Sequence, residues 1–266
     1  MKPRFSILVV CLNPGDKLKE TLESVWKQSY EDYEVIIKDG LSTDGSLYEI
    51  ENQKKVRIIR KKDEGIYDAM NQAVLESSGE YLYFLNCGDV FADKHVLRDV
   101  ARFMAEHPVK KVVYYGNIRE RLTGQIVVSN PKIDDFGCYR NVPCHQACFY
   151  ERELLMAYPF KTKYKVRADY EQFLWCYFKG GAKMLFMDRL ITDYEGGGFS
   201  ETPENRKRSA SEHKEIVKQY MSGGQILKYR FVLWITLAPL RTKIAQNEKT
   251  AGIYNWVKKL LYRKRG

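Results

Sequence analysis

No stretch of this 266-residue chain reaches the about 18 to 20 continuous apolar residues that a membrane-spanning helix requires. The longest candidate, Phe231 to Leu240, is interrupted by Thr236 and Pro239. Cysteine is sparse and unpatterned. The six thiols, at positions 11, 87, 138, 144, 148 and 176, show no regular pairing, and several fall in apolar runs where a small buried thiol packs well. That argues against a disulfide framework and for a reducing compartment. Cys144-His145-Gln146-Ala147-Cys148, with Cys138 nearby, invites a zinc reading, but no second close Cys/His pair completes a tetrahedral site. A secretory leader is not expected either: the run Phe5 to Leu12 after Lys2 and Arg4 is short and ends in Asn13-Pro14-Gly15-Asp16 without a small-residue cleavage pattern. Internal repeats and low-complexity tracts are also missing.

What is present suits a folded enzyme-sized domain. The hydrophobic content is 44%, enough for a substantial core in a chain of this length. Net charge is +10, and it is unevenly placed. Residues 221–266 hold ten Lys or Arg against the single acid Glu248, a local charge of +9 that leaves +1 for the other 220 residues. The basic character therefore belongs to a tail.

Through about residue 90 the chain alternates short apolar runs with helical spacing. Residues 5–12 form a near-continuous apolar strand, followed by a helix carrying Leu18, Leu22, Val25 and Trp26. Further strands are expected at Tyr33–Ile37, Val56–Ile59 and Tyr81–Leu85, with a short helix over Leu47–Ile50 and a longer one marked by Ile66, Met70, Ala73 and Val74. This rhythm predicts βαβ units and a mostly parallel sheet. Beyond it the pattern loosens. A helix capped by Asp93 carries Val96 to Met104, a hairpin joins Val112–Tyr115 to Ile126–Val128, and residues 129–143 read as loop. A strand at Ala147–Tyr150, a helix at Tyr170–Phe178, two short strands at Lys183–Met187 and Leu190–Tyr194, and a charged surface helix from Glu204 to Tyr220 complete the body.

Four polar elements could carry chemistry. Asn86-Cys87-Gly88-Asp89 follows an apolar strand, so a carboxylate and an amide sit at a tight turn where hard oxygens can meet a divalent ion. Asp39-Gly40-Leu41-Ser42-Thr43-Asp44-Gly45 is acidic and lacks the Gly-Lys-Ser/Thr ending of a triphosphate loop; Asp39 suits the neutral donors of a base or ribose, while a plain capped turn is the bland alternative. Asp68 and Asn71 share a helix face three residues apart, with Gly65 at the helix entrance and ordinary capping by Asp63 or Glu64 as the alternative. Asp169, in Arg167-Ala168-Asp169-Tyr170-Glu171, is either an N-cap or a carboxylate able to take a proton from an attacking hydroxyl.

In this order and spacing the elements resemble the inverting glycosyltransferase family 2, whose members have the GT-A fold: an α/β domain with a single, mostly parallel mixed sheet flanked by helices. The resemblance rests on Phe5 to Asn13, Ser24 to Tyr30, Glu34 to Gly45, Gly79 to Asp89 and Ala168-Asp169-Tyr170. Within the family it is greatest to bacterial enzymes of extracellular, capsular or O-antigen polysaccharide synthesis. It implies a catalytic domain over 1–220, with a nucleotide-binding half to residue 90 and an acceptor half after it, then a basic helical tail over 221–266. It implies that Asp39 and the loop at Asn13 line the pocket of a nucleotide-sugar, UDP-linked, and that Asp89 binds Mg²⁺ or Mn²⁺. His145-Gln146 would face the donor or acceptor and Asp169 would be the general base, while Asn86, being neutral, is read from its own chemistry as reaching the sugar or a metal-bound water. Four positions depart from the family pattern: Asn86 and Gly88 stand where acids are common, Ala168 where a Glu is usual, and Met70 where many relatives have Arg. Arg206, Lys207 and Arg208 then become candidates for neutralising the diphosphate.

In the tail, Leu227, Phe231, Trp234, Ile235 and Leu237 alternate with Lys228, Arg230 and Arg241, and a second amphipathic piece runs from Ile253 to Arg265. Such segments suit an anionic membrane surface, where a lipid-linked saccharide acceptor would lie, and imply a cytoplasmic enzyme on the inner face of the membrane. Packing on the body, or on a subunit partner in a homo-oligomer, is the alternative. Gly196-Gly197-Gly198-Phe199-Ser200 reads as a loop that closes over the donor or as a plain surface turn. Two other classes remain: a nucleic-acid-binding protein using basic and aromatic residues, disfavoured by acidic turns in the main cleft, and a non-catalytic sugar-binding or scaffold domain.

Overall fold

The computed structural model describes residues 2–48, 50, 53, 55–196 and 202–236. Strands β1 (Phe5–Cys11), β2 (Tyr33–Asp39), β3 (Val56–Arg60) and β4 (Tyr81–Phe84) pair in parallel, with β1 between β2 and β4. Helices α1 (Asp16–Trp26) and α2 (Ile66–Glu76) are the crossovers. Because β1 is covered on both faces, every residue in it is buried. Its alternation still sorts the core: Phe5, Ile7 and Val9 face α1 and α3 (Val96–Glu106), whereas Leu8 and Val10 face α2 and the helices that follow.

The second half adds β5 (Val90–Phe91), β6 (Val112–Glu120), β7 (Ile126–Val127), β8 (Cys148–Glu151) and β9 (Lys183–Tyr194), giving a nine-stranded mixed sheet in the order β3-β2-β1-β4-β8-β6-β9-β5, with β7 hairpinned onto β6. Helices α4 (Asp135–Arg140), α5 (Arg152–Ala157), α6 (Ala168–Phe178), α7 (Pro203–Tyr220) and α8 (Gly223–Ile235) complete the described chain.

The structure departs from the sequence reading in several places. Leu47, Tyr48 and Ile50 lie in a turn rather than a helix, and the segment read as loop contains α4, whose first turn is capped by Asp134 accepting from the Gly137 N–H at 2.6 Å. Asp93 stops short of capping α3; it accepts from His95 N–H at 2.8 Å and pairs with Arg189. The two short strands after residue 183 are one strand. It stays paired with β6 across Asp188-Arg189 by slipping register at Asn117, and a side chain on Gly116 would meet the Arg189 carbonyl at 2.5 Å. Helix α7 is more than a surface helix, since Asn205, Glu212, Ile216 and Val217 are buried.

Helix α8 has two apolar faces. Ile226, Tyr229 and Leu233 pack on the body, Tyr229 against Phe136 and Tyr139, while Leu227, Phe231, Trp234 and Ile235 are exposed beside Lys228 and Arg230. The second amphipathic piece and all but the first residue of the Gly196–Ser200 loop lie outside the described residues. Among the described residues no helix is long and apolar enough to cross a membrane.

Candidate active site

Parallel pairing brings the carboxyl ends of β1, β2 and β4 to one edge, so the polar turns that follow them open side by side, as ligand sites do in open α/β sheets. At the first corner the Asp39 carboxylate is wholly buried. It accepts from the Ser42 N–H at 3.0 Å and the Ser42 hydroxyl, with the Arg60 guanidinium 3.4 Å away. Ser42 in turn accepts from the Asn13 N–H at 2.8 Å, and Asn13 Oδ1 accepts from the Thr43 N–H at 2.8 Å. These bonds clasp the loops after β1 and β2. Both loops hold a non-glycine residue in the left-handed region, Asn13 at φ 49° and Leu41 at φ 74°, a conformation costing about 1–3 kcal/mol that the surrounding bonds enforce. Leu12 and Leu41 leave apolar surface exposed there. Beneath the clasp, the fully buried Lys38 donates to the carbonyls of Asp39 and Lys61 and to Asp63, so its charge is paired rather than stranded.

The second corner is the turn closed by the Asp89 N–H donating to the Asn86 carbonyl at 3.0 Å. Thr21 of α1 pins it: its hydroxyl donates to the Asp89 carbonyl and accepts from the Gly88 N–H, both at 2.9 Å. Asp89 is 2% exposed. Burial pushes its carboxyl up from the usual carboxylate range, opposed by hydrogen bonds from the Glu195 N–H at 2.9 Å and Gln146 Nε2 at 3.2 Å. Glu195 lies over Gly88, where an added Cβ would stand 2.4 Å from its carboxylate, and Lys17 pairs with Glu195 at 2.7 Å. Arg121 donates to the Gly88 carbonyl at 2.9 Å.

The third corner is the 3-10 turn His145–Ala147 that enters β8. Gln146 is buried and fixed at both ends of its amide, with Cys144 Sγ donating to Oε1 and Nε2 donating to Asp89. Burial pushes the Cys144 thiol up to about 12, which keeps it a donor. The Gln146 backbone carbonyl accepts from the hydroxyls of Tyr83 and Thr192 at 2.7 and 2.8 Å. The residue before it, His145, has Nδ1 3.2 Å from Asp169 Oδ2 and Nε2 3.3 Å from Asn86 Nδ2.

Asp169 sits in the first turn of α6 and does not cap it; the N-cap is Arg167, which makes no side-chain cap bond. Burial pushes the Asp169 carboxyl up, but the hydrogen bonds from His145, the Tyr170 N–H at 2.8 Å and the Tyr67 hydroxyl at 3.0 Å together hold it below the usual range. The approach to α6 is gripped by Glu212 of α7, whose carboxylate accepts from the N–H groups of Lys165, Val166 and Arg167 at 2.9, 3.0 and 2.9 Å.

Asn86, Asp89, His145 and Asp169 are thus linked in one place, with Asn13 and Asp39 in a separate clasp along the same edge. Asp68 and Asn71 have other partners. Asp68 accepts from the Glu64 N–H at 3.0 Å and from Gln72 at 2.9 Å, and Asn71 makes a reciprocal pair with the Phe160 backbone, both bonds at 2.9 Å. Their helix nevertheless matters, because it delivers Tyr67 to Asp169. Arg206, Lys207 and Arg208 are exposed at the start of α7.

Among the described residues no three of His, Cys, Asp and Glu gather into a cation site. Asn86 Oδ1, however, is buried with no hydrogen-bond partner, so the turn that carries Asp89 also offers one orphan oxygen. Hard oxygens of this kind suit Mg²⁺ or Mn²⁺ when substrate phosphates complete the shell.

The sequence profile of glycosyl transferase family 2 matches residues 6–186. The chain belongs to that family. This glycosyltransferase is 34% identical over 208 residues to the PGL/p-HBAD biosynthesis glycosyltransferases of Mycobacterium bovis and Mycobacterium tuberculosis, an alignment spanning 75% of this chain and 80% of theirs. In three dimensions it resembles Staphylococcus aureus TarS (residues 1–349) in complex with UDP-GlcNAc, with TM-score 0.63 at 19% identity over 87% of this chain and 73% of that one. It also resembles the mannosyltransferase PcManGT of Pyrobaculum calidifontis in complex with GDP-Man and Mn²⁺, with TM-score 0.63 at 16% identity over 99% of this chain and 83% of that one. At these identities the two structures speak for the fold, a GT-A arrangement of one mixed sheet between helices.

The sequence did not single out Thr21, Tyr67, Glu195 or Glu212. Each acts across a long loop, and only Glu195 had a local cue, its place beside the glycine run.

Proposed function

We propose that this glycosyltransferase moves a sugar from a UDP-linked donor to a hydroxyl of a saccharide or lipid-linked saccharide by single displacement with inversion. The observation that carries the reading is that consecutive side chains, His145 and Gln146, hold the two acids Asp169 and Asp89 at one edge of the sheet. Asp169 takes the proton of the acceptor hydroxyl, whose oxygen attacks the anomeric carbon from the face opposite the departing nucleoside diphosphate. Asp89 and Asn86 Oδ1 would hold Mg²⁺ or Mn²⁺, which when bound neutralises charge on the diphosphate. The clasp of Asn13, Ser42 and Asp39 is the nucleotide end, with Leu12 and Leu41 as apolar surface for the base. Asp68 and Asn71 act as scaffold, through α2 and the segment that ends at α6.

A lipid-linked acceptor is supported by the exposed stripe on α8. Leu227, Phe231 and Trp234, flanked by Lys228 and Arg230, suit insertion at an anionic bilayer surface, and this would bring the enzyme to a lipid-linked acceptor. Polysaccharide synthesis at the inner face of the membrane is the corresponding cellular setting.

The direct test is donor depletion across a panel of nucleotide-sugars with Mg²⁺ or Mn²⁺ and a lipid-linked saccharide extract. UDP-sugar consumption is expected. A folded chain that binds none of the donors would sink the reading. Sedimentation with anionic vesicles, lost in Trp234→Ser/Phe231→Ser, tests the membrane contact.

A further inference from the structure

Resting on the transferase reading, we infer that His145 is a positioning residue that leaves Asp169 a single basic lone pair, and that Asn86 selects the ring tautomer that does so. A carboxylate offers about four lone-pair directions. On Oδ1 of Asp169, one is taken by the Tyr170 N–H at 2.8 Å, and the hydroxyl of Tyr67, which also reaches the Val166 carbonyl at 2.8 Å, covers the other at 3.0 Å. On Oδ2, His145 Nδ1 at 3.2 Å takes a third. What remains is one lone pair on Oδ2, beside the imidazole. The hydroxyl that Asp169 deprotonates must approach there.

This arrangement needs a proton on Nδ1, because a bare ring nitrogen would face a carboxylate oxygen with lone pair against lone pair. The other side of the ring asks for the same tautomer. Asn86 Nδ2, at 3.3 Å, donates into Nε2 and so requires Nε2 to be unprotonated. The opposite amide orientation would put Asn86 Oδ1 on Nε2 and demand a second ring proton. With Nδ2 on the ring, Oδ1 points elsewhere and is the buried oxygen without a partner. One amide therefore sets the histidine and keeps its carbonyl oxygen off the ring.

The proton bookkeeping closes without charging His145. The acceptor O–H bond breaks as Oδ2–H forms on Asp169. The oxygen's electron pair makes the bond to the anomeric carbon, and the pair of the breaking sugar–phosphate bond leaves with the nucleoside diphosphate. The Nδ1 proton stays on the ring throughout, which makes His145 an orienting group and not the base.

The experiment uses the full chain. Nitrogen-15 ring signals of His145 at neutral pH should report the Nδ1–H tautomer in the wild type, and should lose that pattern in Asn86→Asp, whose carboxylate would accept from Nε2–H. In parallel, His145→Ala should lower kcat about tenfold or more with donor KM little changed, and His145→Asn, whose amide can still donate to Asp169, should recover part of the loss. A wild-type Nε2–H tautomer would overturn the inference, as would His145→Ala with unaltered kcat. An inert wild-type chain across the donor panel would instead overturn the transferase reading, while the ring signals would still report on His145.

Discussion

Asp89 and Asp169 lie far apart in the chain, yet neighbouring side chains of one short turn grip them: Gln146 donates to the first and His145 donates to the second. The two acids are in opposite electrostatic states. Burial raises Asp89, whereas the bonds to Asp169 overcome its burial and lower it. A cation bound at Asp89 would offset the cost of burying its charge, whereas Asp169 is held ionised, the state in which a carboxylate can accept a proton.

Asp169→Asn removes the proton acceptor and retains the shape and most of the hydrogen bonds. Transfer should fall by about 10²- to 10⁴-fold, with the melting temperature and donor affinity close to wild type. Steady-state kinetics beside calorimetric donor binding would check this. Retained turnover would remove Asp169 from its role.

The lowered Asp169 pKa has a definite sign in pH profiles. A depressed carboxylate contributes stability above its unfolded pKa of about 3.9, and that contribution is lost as pH falls through the folded value. The acid limb of kcat/KM due to Asp169 should therefore lie below about pH 4. His145→Ala takes away the largest lowering influence and leaves burial opposed only by the Tyr67 hydroxyl and the Tyr170 N–H. Its acid limb should move toward neutral pH. A limb that stays put would show that His145 does not tune the base.

Asp89→Asn should separate function from stability. A buried carboxyl held above its usual range is a charge that folding disfavours at neutral pH, so the neutral amide should leave stability within about 1 kcal/mol of wild type or raise it. Turnover should be lost nonetheless. Chemical unfolding set against donor-consumption assays distinguishes this from a structural acid, whose loss would lower both.

Glu212 is expected to matter although it is remote from any reacting atom. Its carboxylate satisfies three consecutive N–H groups leading into α6, so Glu212→Ala leaves them without their acceptor and should cost about 2–3 kcal/mol of stability. Because those residues carry Asp169, kcat should drop while donor KM holds. Urea unfolding with transfer kinetics would test both halves.

Much of this was legible in the sequence, for identifiable reasons. The near-continuous apolar run from Phe5 to Cys11 suits a strand covered on both faces, and parallel pairing then places the turns at Asp39 and Asp89 on a common edge. The acids could be picked out because each stands directly after a buried strand, although a capped turn explains Asp39 equally well from local sequence and its bonds to Ser42 are of that kind. The helices α4 and α5 were missed because six residues are too few to show a period. The exposed Leu227, Phe231 and Trp234 stripe was visible as composition, but its coexistence with a packed face on the same helix depends on tertiary contacts. Asn71 had the right type and spacing for a ligand, but its amide is engaged by the Phe160 backbone, a pairing no local pattern encodes.

Gly88 offers the sharpest test of how this turn differs from acid-rich relatives. Its φ of +96° disfavours any side chain, at a cost of about 1–3 kcal/mol, and a Cβ would also press on the Glu195 carboxylate at 2.4 Å. Glu195 is the end of a flexible side chain held by the partly exposed Lys17, so it can move aside cheaply, and backbone strain should dominate in Gly88→Ala. Adding Glu195→Ala should therefore restore little of that loss. Gly88→Asp adds a like charge in the same space, and there Glu195→Ala should recover distinctly more. Thermal unfolding of the single and double variants gives the two coupling energies. Equal coupling for alanine and aspartate would mean that Glu195 is a steric neighbour only, and that electrostatics plays no part in keeping an acid out of position 88.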